Sequence, residues 1–284
     1  MDYSADIDYI LSKSQDNGAD FWATPEGSLI KGGPFSTLEA AYNLATLGLP
    51  ASHPMLTGAI TLVWQTQRKD GRFSIIPKSG IYPCQTIHAA RTLCALGFAG
   101  DSRLQPTLDH LLQTQYRDGG WRCNKFFFGR GPETEFSNPG PTLSALDIFR
   151  QTPYAYTDER LDHAVEFLLS HWTTRAPLGP CHYGIGTLFH QVSFPFLNYN
   201  LFNMSMYSRF TTRRSVILAF WMRWVSCKIS SRTGKSLSSA RTQSLRNSTS
   251  AKKAKSASWR QSVITRSWQI LVARDLFPPK AGVC

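Results

Sequence analysis

An all-α fold of stacked helical hairpins is predicted by three observations. The segment Thr37 to Pro50 (TLEAAYNLATLGLP) returns as Thr86 to Ala99 (TIHAARTLCALGFA), 49 residues later. A second segment, Leu62 to Phe73 (LVWQTQRKDGRF), aligns without gaps on His110 to Trp121 (HLLQTQYRDGGW), 48 residues later. Apolar and small residues in both recur at three- and four-residue spacing, the period of one helical face. Self-similarity at such a period means repeated supersecondary units that bury a core only by stacking.

The elements follow in order. Each unit is a hairpin of an A helix and a B helix, spanning roughly 5–48, 56–98, 104–150 and 160–203. The B helices are placed at 37–47, 86–96 and 142–149. Thr37 and Thr86 stand where a hydroxyl caps free N–H groups, and Gly48 and Gly97 where a left-handed C-terminal residue is wanted. The pairs Ala40-Ala41 and Ala89-Ala90 suit close approach of a neighbouring helix. The A helices end in a Gln, five residues, Gly, one residue, aromatic pattern: Gln65, Gly71, Phe73 and Gln113, Gly119, Trp121. A degenerate copy holds Gln15, Gly18, Phe21 and Trp22, while the fourth A helix, 161–172, has neither the Gln nor the Gly. In this pattern Gly ends the helix, the ring packs over its end, and the Gln amide bonds the freed backbone groups. Between the third A and B helices lies an insertion, 122–141.

The net charge of +12 is a misleading average. Residues 204–284 hold 16 Lys/Arg and a single acid, Asp275, whereas residues 1–203 hold 15 Lys/Arg against 18 acids. The repeat-bearing part is therefore mildly acidic, which removes the charge argument for nucleic-acid binding by the core. The boundary divides the chain into a helical domain, 1–203, and a basic, Ser-rich tail, 204–284. Three readings of the tail stand: a phosphate-binding arm, a disordered extension, and an out-of-frame segment. The last rests on the repeat stopping inside a hairpin near Asn203. The acidic start (MDYSAD) is unlike a secretory signal, and no apolar stretch is long enough to span a membrane. Six cysteines without paired spacing suggest reduced thiols in a cytoplasmic protein, with peripheral membrane contact left open.

The Gln-x5-Gly-x-aromatic pattern resembles the aromatic-and-glutamine repeat of squalene and oxidosqualene cyclases. The hairpins resemble the wider prenyltransferase/squalene-oxidase repeat superfamily over about residues 5–203. That resemblance implies an α/α toroid of about four units here, and an isoprenoid-related enzyme or enzyme relative. A prenyl or polycyclic lipid would bind in a central aromatic cavity with the insertion at its mouth. The alternative is a non-catalytic scaffold whose concave face holds a protein or peptide, because fold alone does not fix function.

The superfamily's reaction motifs are absent from this sequence: Asp-x-Asp-Asp, Asp-x-Cys with a later His, and Asp-Asp-x-x-Asp. Asp6 and Asp8 read as solvated acids at a helix start. The stretch Gly120 to Lys125 (GWRCNK) echoes protein farnesyltransferase β subunits, which implies diphosphate contact by Arg122 and Lys125. Trp121, Tyr183 and Arg130 join them as candidate substrate-binding residues. Candidate catalytic groups are Cys181, His182, Glu133 and Glu135. If a divalent metal is used, Cys123, Cys181 and His182 are its candidate ligands, since thiolate and imidazole are suited to that role. The aromatics Trp64, Phe126, Phe127, Phe128, Phe194, Phe196 and Tyr199 are candidates for a cavity lining, where π faces stabilise cations.

Overall fold

The computed structural model describes residues 2–123, 135–179, 181, 183–186, 189, 199–201, 203 and 204. Within these the chain is all-α, with seven α-helices, no strand, and two isolated bridges, Gln67 with Phe73 and Leu178 with Tyr183. The readings made for the basic tail, and for most of the insertion, fall outside the described residues. The A helices are α1 (Ser4–Leu11), α3 (Pro54–Gln65), α5 (Gln105–Gln113) and α7 (Glu159–Thr174). The B helices are α2 (Thr37–Thr46), α4 (Pro83–Leu93) and α6 (Pro139–Phe149). In the packing α2 lies against α4 and α4 against α6, which makes one row of B helices. The A helices flank it: α1 and α3 touch α2, α3 and α5 touch α4, and α7 touches α6.

Small residues let the B row close up. Ala40, Ala41, Ala89, Ala90 and Ala145 are wholly buried in one apolar core with Leu38, Ile87, Leu93 and Ile148. Gly48 and Gly97 take φ values of +93° and +94°, the left-handed conformation expected after each repeat helix. The start of the B helices differs from expectation. α4 and α6 begin three residues early, at Pro83 and Pro139, because proline at the first helical position already has helical φ and lacks an N–H that would be unpaired there. Thr86 is therefore inside its helix, and its hydroxyl accepts the backbone N–H of Phe73 at 3.1 Å. Thr142 accepts that of Trp121 at 3.0 Å. Thr86 and Thr142 thus tie the aromatic turn to the next helix instead of capping their own, and Thr37 is the first residue of α2, after the N-cap Ser36, and caps nothing.

The bridging glutamine is also not the expected one. Gln67 donates to the Arg103 carbonyl at 2.7 Å and the Thr107 hydroxyl at 3.1 Å, at the start of α5. Gln115 donates to the Arg160 carbonyl at 2.7 Å, at the start of α7. Both lie two residues beyond Gln65 and Gln113, where the departing chain faces the next unit. The glycines have the same purpose. A Cβ on Gly71 would lie 2.4 Å from the Pro106 backbone, and one on Gly119 would lie 2.4 Å from the His163 carbonyl. Indole rings complete the turn, as Trp121 Nε1 donates to the Leu111 carbonyl and Trp22 Nε1 to that of Ile10.

A further repeat marks all four A helices. Asp2, His53, Asp101 and Asp158 each accept the backbone N–H two residues on, from Ser4, Met55, Arg103 and Arg160. His53 and Asp158 cap α3 and α7 directly, Asp101 caps the short turn Ser102–Leu104 that leads into α5, and Asp2 holds the first N–H of α1. This repeat identifies α7 as the opening of a fourth unit although that helix has lost the Gln and Gly. Asp6, expected to be solvated, is buried, while Asp8 is exposed as expected.

Candidate functional site

The B helices leave one face uncovered by the A helices. Numbering from each repeat threonine, the part-exposed positions recur at −2 (Phe35, Cys84, Gly140), +2 (Glu39, His88, Ser144) and +9 (Thr46, Ala95, Gln151). Between them, at +5, sit Tyr42, Arg91 and Asp147, all buried. Positions +2 and +5 lie inside all three helices, and a step of three residues keeps them on one face about 4.5 Å apart along the axis. Equivalent positions of three repeats therefore share one surface, and most of its side chains carry chemistry.

The +5 row is a closed ionic network. Arg91 donates from Nε to Asp147 Oδ2 and from Nη2 to the Tyr42 hydroxyl at 2.7 Å. That hydroxyl donates to Asp147 Oδ2 at 3.0 Å, and the guanidinium lies 4.0 Å from the Tyr42 ring centre. Arg150 Nε holds the other oxygen, Oδ1, at 2.7 Å. Burial alone would raise the Asp147 pKa, but Arg150 and Arg91 outweigh it and hold the carboxyl below its usual range. A buried carboxylate with two guanidinium partners is satisfied, and removing either side leaves an uncompensated charge.

The +2 row is different. His88 Nδ1 lies 3.8 Å from Glu39 Oε1. Burial pushes Glu39 up to about 7, against the opposing pull of Arg91. Burial pushes His88 down to about 4, and Arg91 lowers it further. His88 is thus neutral and Glu39 about half-protonated at neutral pH, so their contact is not an ion pair.

At the −2 end thiols collect. The neighbouring Cys123 thiol, then burial and Cys181, push the Cys84 thiol above its ordinary value. Asn138 connects the neighbouring segments: its backbone N–H donates to the Trp121 carbonyl at 3.0 Å and its Nδ2 to Cys181 Sγ at 3.5 Å. Tyr183 sits on α6 where Gly140 has no side chain, since a Cβ there would lie 2.7 Å from its ring. Burial, then Cys181, Cys84 and Cys123, push Tyr183 up to about 12. Cys84, missed in the sequence, was recoverable from its position three residues before Ile87, on the same helical face as His88.

The remaining candidates divide. Arg122 lines a cleft of about 410 Å³ with Arg72, His110, Tyr116, Thr86 and Ile81. It alternates with buried Trp121 and Cys123, which places it on the opposite side of the chain from the thiols. Glu135 is exposed and lies 3.5 Å from Arg122. Trp121, expected at a binding surface, is wholly buried with its indole bonded to Leu111, so it is core. Trp64 and Tyr199 also pack into the core, against Phe73 and Phe98 for the first and His171 and Phe189 for the second. Lys125, Arg130, Glu133, His182 and the aromatics at 126–128, 194 and 196 lie outside the described residues. Among those described, no group of three His, Cys, Asp or Glu side chains is placed to hold a metal ion. No described helix is long and apolar enough to cross a membrane.

No family model matches this chain, and no curated protein matches it with significant similarity.

Proposed function

We propose that this chain is an isoprenoid-related enzyme or enzyme relative of the terpene cyclase and prenyltransferase kind. In this reading the B helices line part of an α/α toroid, and a prenyl or polycyclic lipid lies along their uncovered face. One observation carries it: the groups on that face are largely held in uncharged or compensated form. Cys84 is a neutral thiol, His88 is neutral, Glu39 is about half-protonated, and Asp147 is balanced by Arg91 and Arg150. The Tyr183 ring lies over Gly140 at one end of this face. Apolar ligands bind to such walls, apolar and aromatic with few well-placed polar groups. The Arg72 and Arg122 guanidiniums in the cleft beside the first turn of α4 are the cations for a diphosphate.

The test is a titration of the purified chain with farnesyl diphosphate, farnesol and inorganic pyrophosphate, followed by tryptophan fluorescence. Both prenyl ligands are expected to bind, and Glu39→Lys, which puts a fixed charge on the face, to weaken both at least about tenfold. Arg122→Ala should weaken the diphosphate ligand and leave farnesol unchanged. Absence of prenyl binding, or binding indifferent to Glu39→Lys, overturns the reading.

A further inference from the structure

The two middle rows of the uncovered face differ in how far their polar groups are satisfied. In the +5 row Tyr42 and Arg91 bond one oxygen of Asp147 and Arg150 bonds the other, so both carboxylate oxygens are held within the protein. The +2 row is open. Glu39 and His88 stand on the adjacent helices α2 and α4, with side chains 14% and 28% accessible, and His88 Nδ1 is 3.8 Å from Glu39 Oε1. That separation is too long for a hydrogen bond between them. Among the described residues neither side chain makes a hydrogen bond, which leaves both groups to whatever occupies the face. The third member of the row, Ser144 on α6, carries only a hydroxyl, so the acid and the imidazole meet at the α2–α4 pair alone.

We propose that Glu39 and His88 form a clamp for a single hydroxyl group, which makes a lipid alcohol the ligand class of this face. For the chain attached to that hydroxyl, the clamp rests on the isoprenoid reading above. An oxygen about 2.8 Å from each atom, an ordinary hydrogen-bond distance, fits between two groups 3.8 Å apart. The pair offers one donor and one acceptor whichever form Glu39 takes. When protonated, Glu39 donates to the ligand oxygen and the ligand O–H donates to His88 Nδ1. When ionised, Glu39 accepts the ligand O–H and His88 donates from Nδ1. Burial keeps both forms of Glu39 present near neutral pH, and it keeps His88 uncharged, so no fixed charge is left at the clamp to attract an ion. A hydroxyl donates and accepts at one atom and so satisfies both groups. An ether or carbonyl oxygen only accepts, and leaves one of the two desolvated and unpaired. An anionic head is repelled by ionised Glu39 and is matched instead by Arg72 and Arg122 in their cleft.

The test measures binding of radiolabelled farnesol and of its methyl ether to the purified full chain by equilibrium dialysis. Farnesol is expected to bind at least about tenfold more tightly, since a site built to bond a hydroxyl rejects an analogue that cannot donate. Glu39→Leu and His88→Phe should each bring the ratio near one, chiefly by weakening farnesol. Glu39→Gln, which still donates and accepts, should keep the preference. Equal affinity of the unaltered chain for the two ligands overturns the clamp and leaves the isoprenoid reading standing. Absence of binding by either ligand overturns both. A preference for farnesol that survives Glu39→Leu and His88→Phe puts the hydroxyl elsewhere and overturns the clamp as well. Each ratio is taken within one protein, and the unaltered chain alone can refute the clamp, so a variant that fails to fold does not protect it.

Discussion

Glu39 and His88 are the residues at which pH acts most directly. Glu39, with its folded pKa raised to about 7, stabilises the fold most at low pH, and that contribution is lost as pH rises from the ordinary carboxyl value through 7. His88, lowered to about 4, contributes above its ordinary value, and that contribution is lost as pH falls toward 4. The two oppose each other in the overlap. Glu39→Gln should therefore leave a stability curve that rises from about pH 4 to 6.5, and His88→Gln one that falls from about pH 4.5 to 7. Urea melts across that range check both slopes, and parallel curves for the two variants would contradict the assignment. In the row below, Asp147→Ala leaves the Arg91 guanidinium buried without its carboxylate. A loss of about 3–5 kcal/mol is expected, against about 1 kcal/mol for Tyr42→Phe, which removes only a hydroxyl. Denaturant melts of both variants check the ranking.

At the scale of elements, the repeat was legible because helical periodicity and glycine placement are local properties. Gly48 and Gly97 take the left-handed conformation the sequence asks for, although α4 ends at Leu93 and Gly97 lies in the π-turn that follows, and the alanine pairs lie where helices touch. The partners of polar side chains were not legible in the same way. Gln67 and Gln115 do the bridging assigned to Gln65 and Gln113, and Thr86 and Thr142 bond another unit's turn, because such bonds are decided by which element packs beside them. The helix caps at Asp101 and Asp158 could have been found, since Asp-x-Arg precedes a Leu in both places. The candidate site was less legible still. Cys84, Glu39, His88 and Arg91 share a face only once three repeats are superposed, and nothing in a single helix marks that face as uncovered. The unit-to-unit joint gives the sharpest test of the repeat. Gly119→Ala sets a Cβ against the His163 carbonyl at a φ of +90°. A loss of about 2 kcal/mol or more is expected, exceeding the strain of a left-handed alanine alone. Trp121→Ala should cost about 3–5 kcal/mol as a core truncation, measured by the same melts.

Among the described residues, four A helices and a row of three B helices make an all-α stack whose uncovered face carries thiols at one end, a neutral His88 beside a half-protonated Glu39 below them, and a buried ionic row beyond. The isoprenoid reading depends on that face and not on the basic tail, whose charge has no part in it. A photoreactive diazirine analogue of farnesyl diphosphate, cross-linked to the full chain and mapped by mass spectrometry, reads the location of the ligand directly. Labels are expected in peptides covering residues 35–46 and 83–95, reduced in competition with unmodified farnesyl diphosphate. Competed labelling confined to other segments, or no competed labelling at all, would contradict the account.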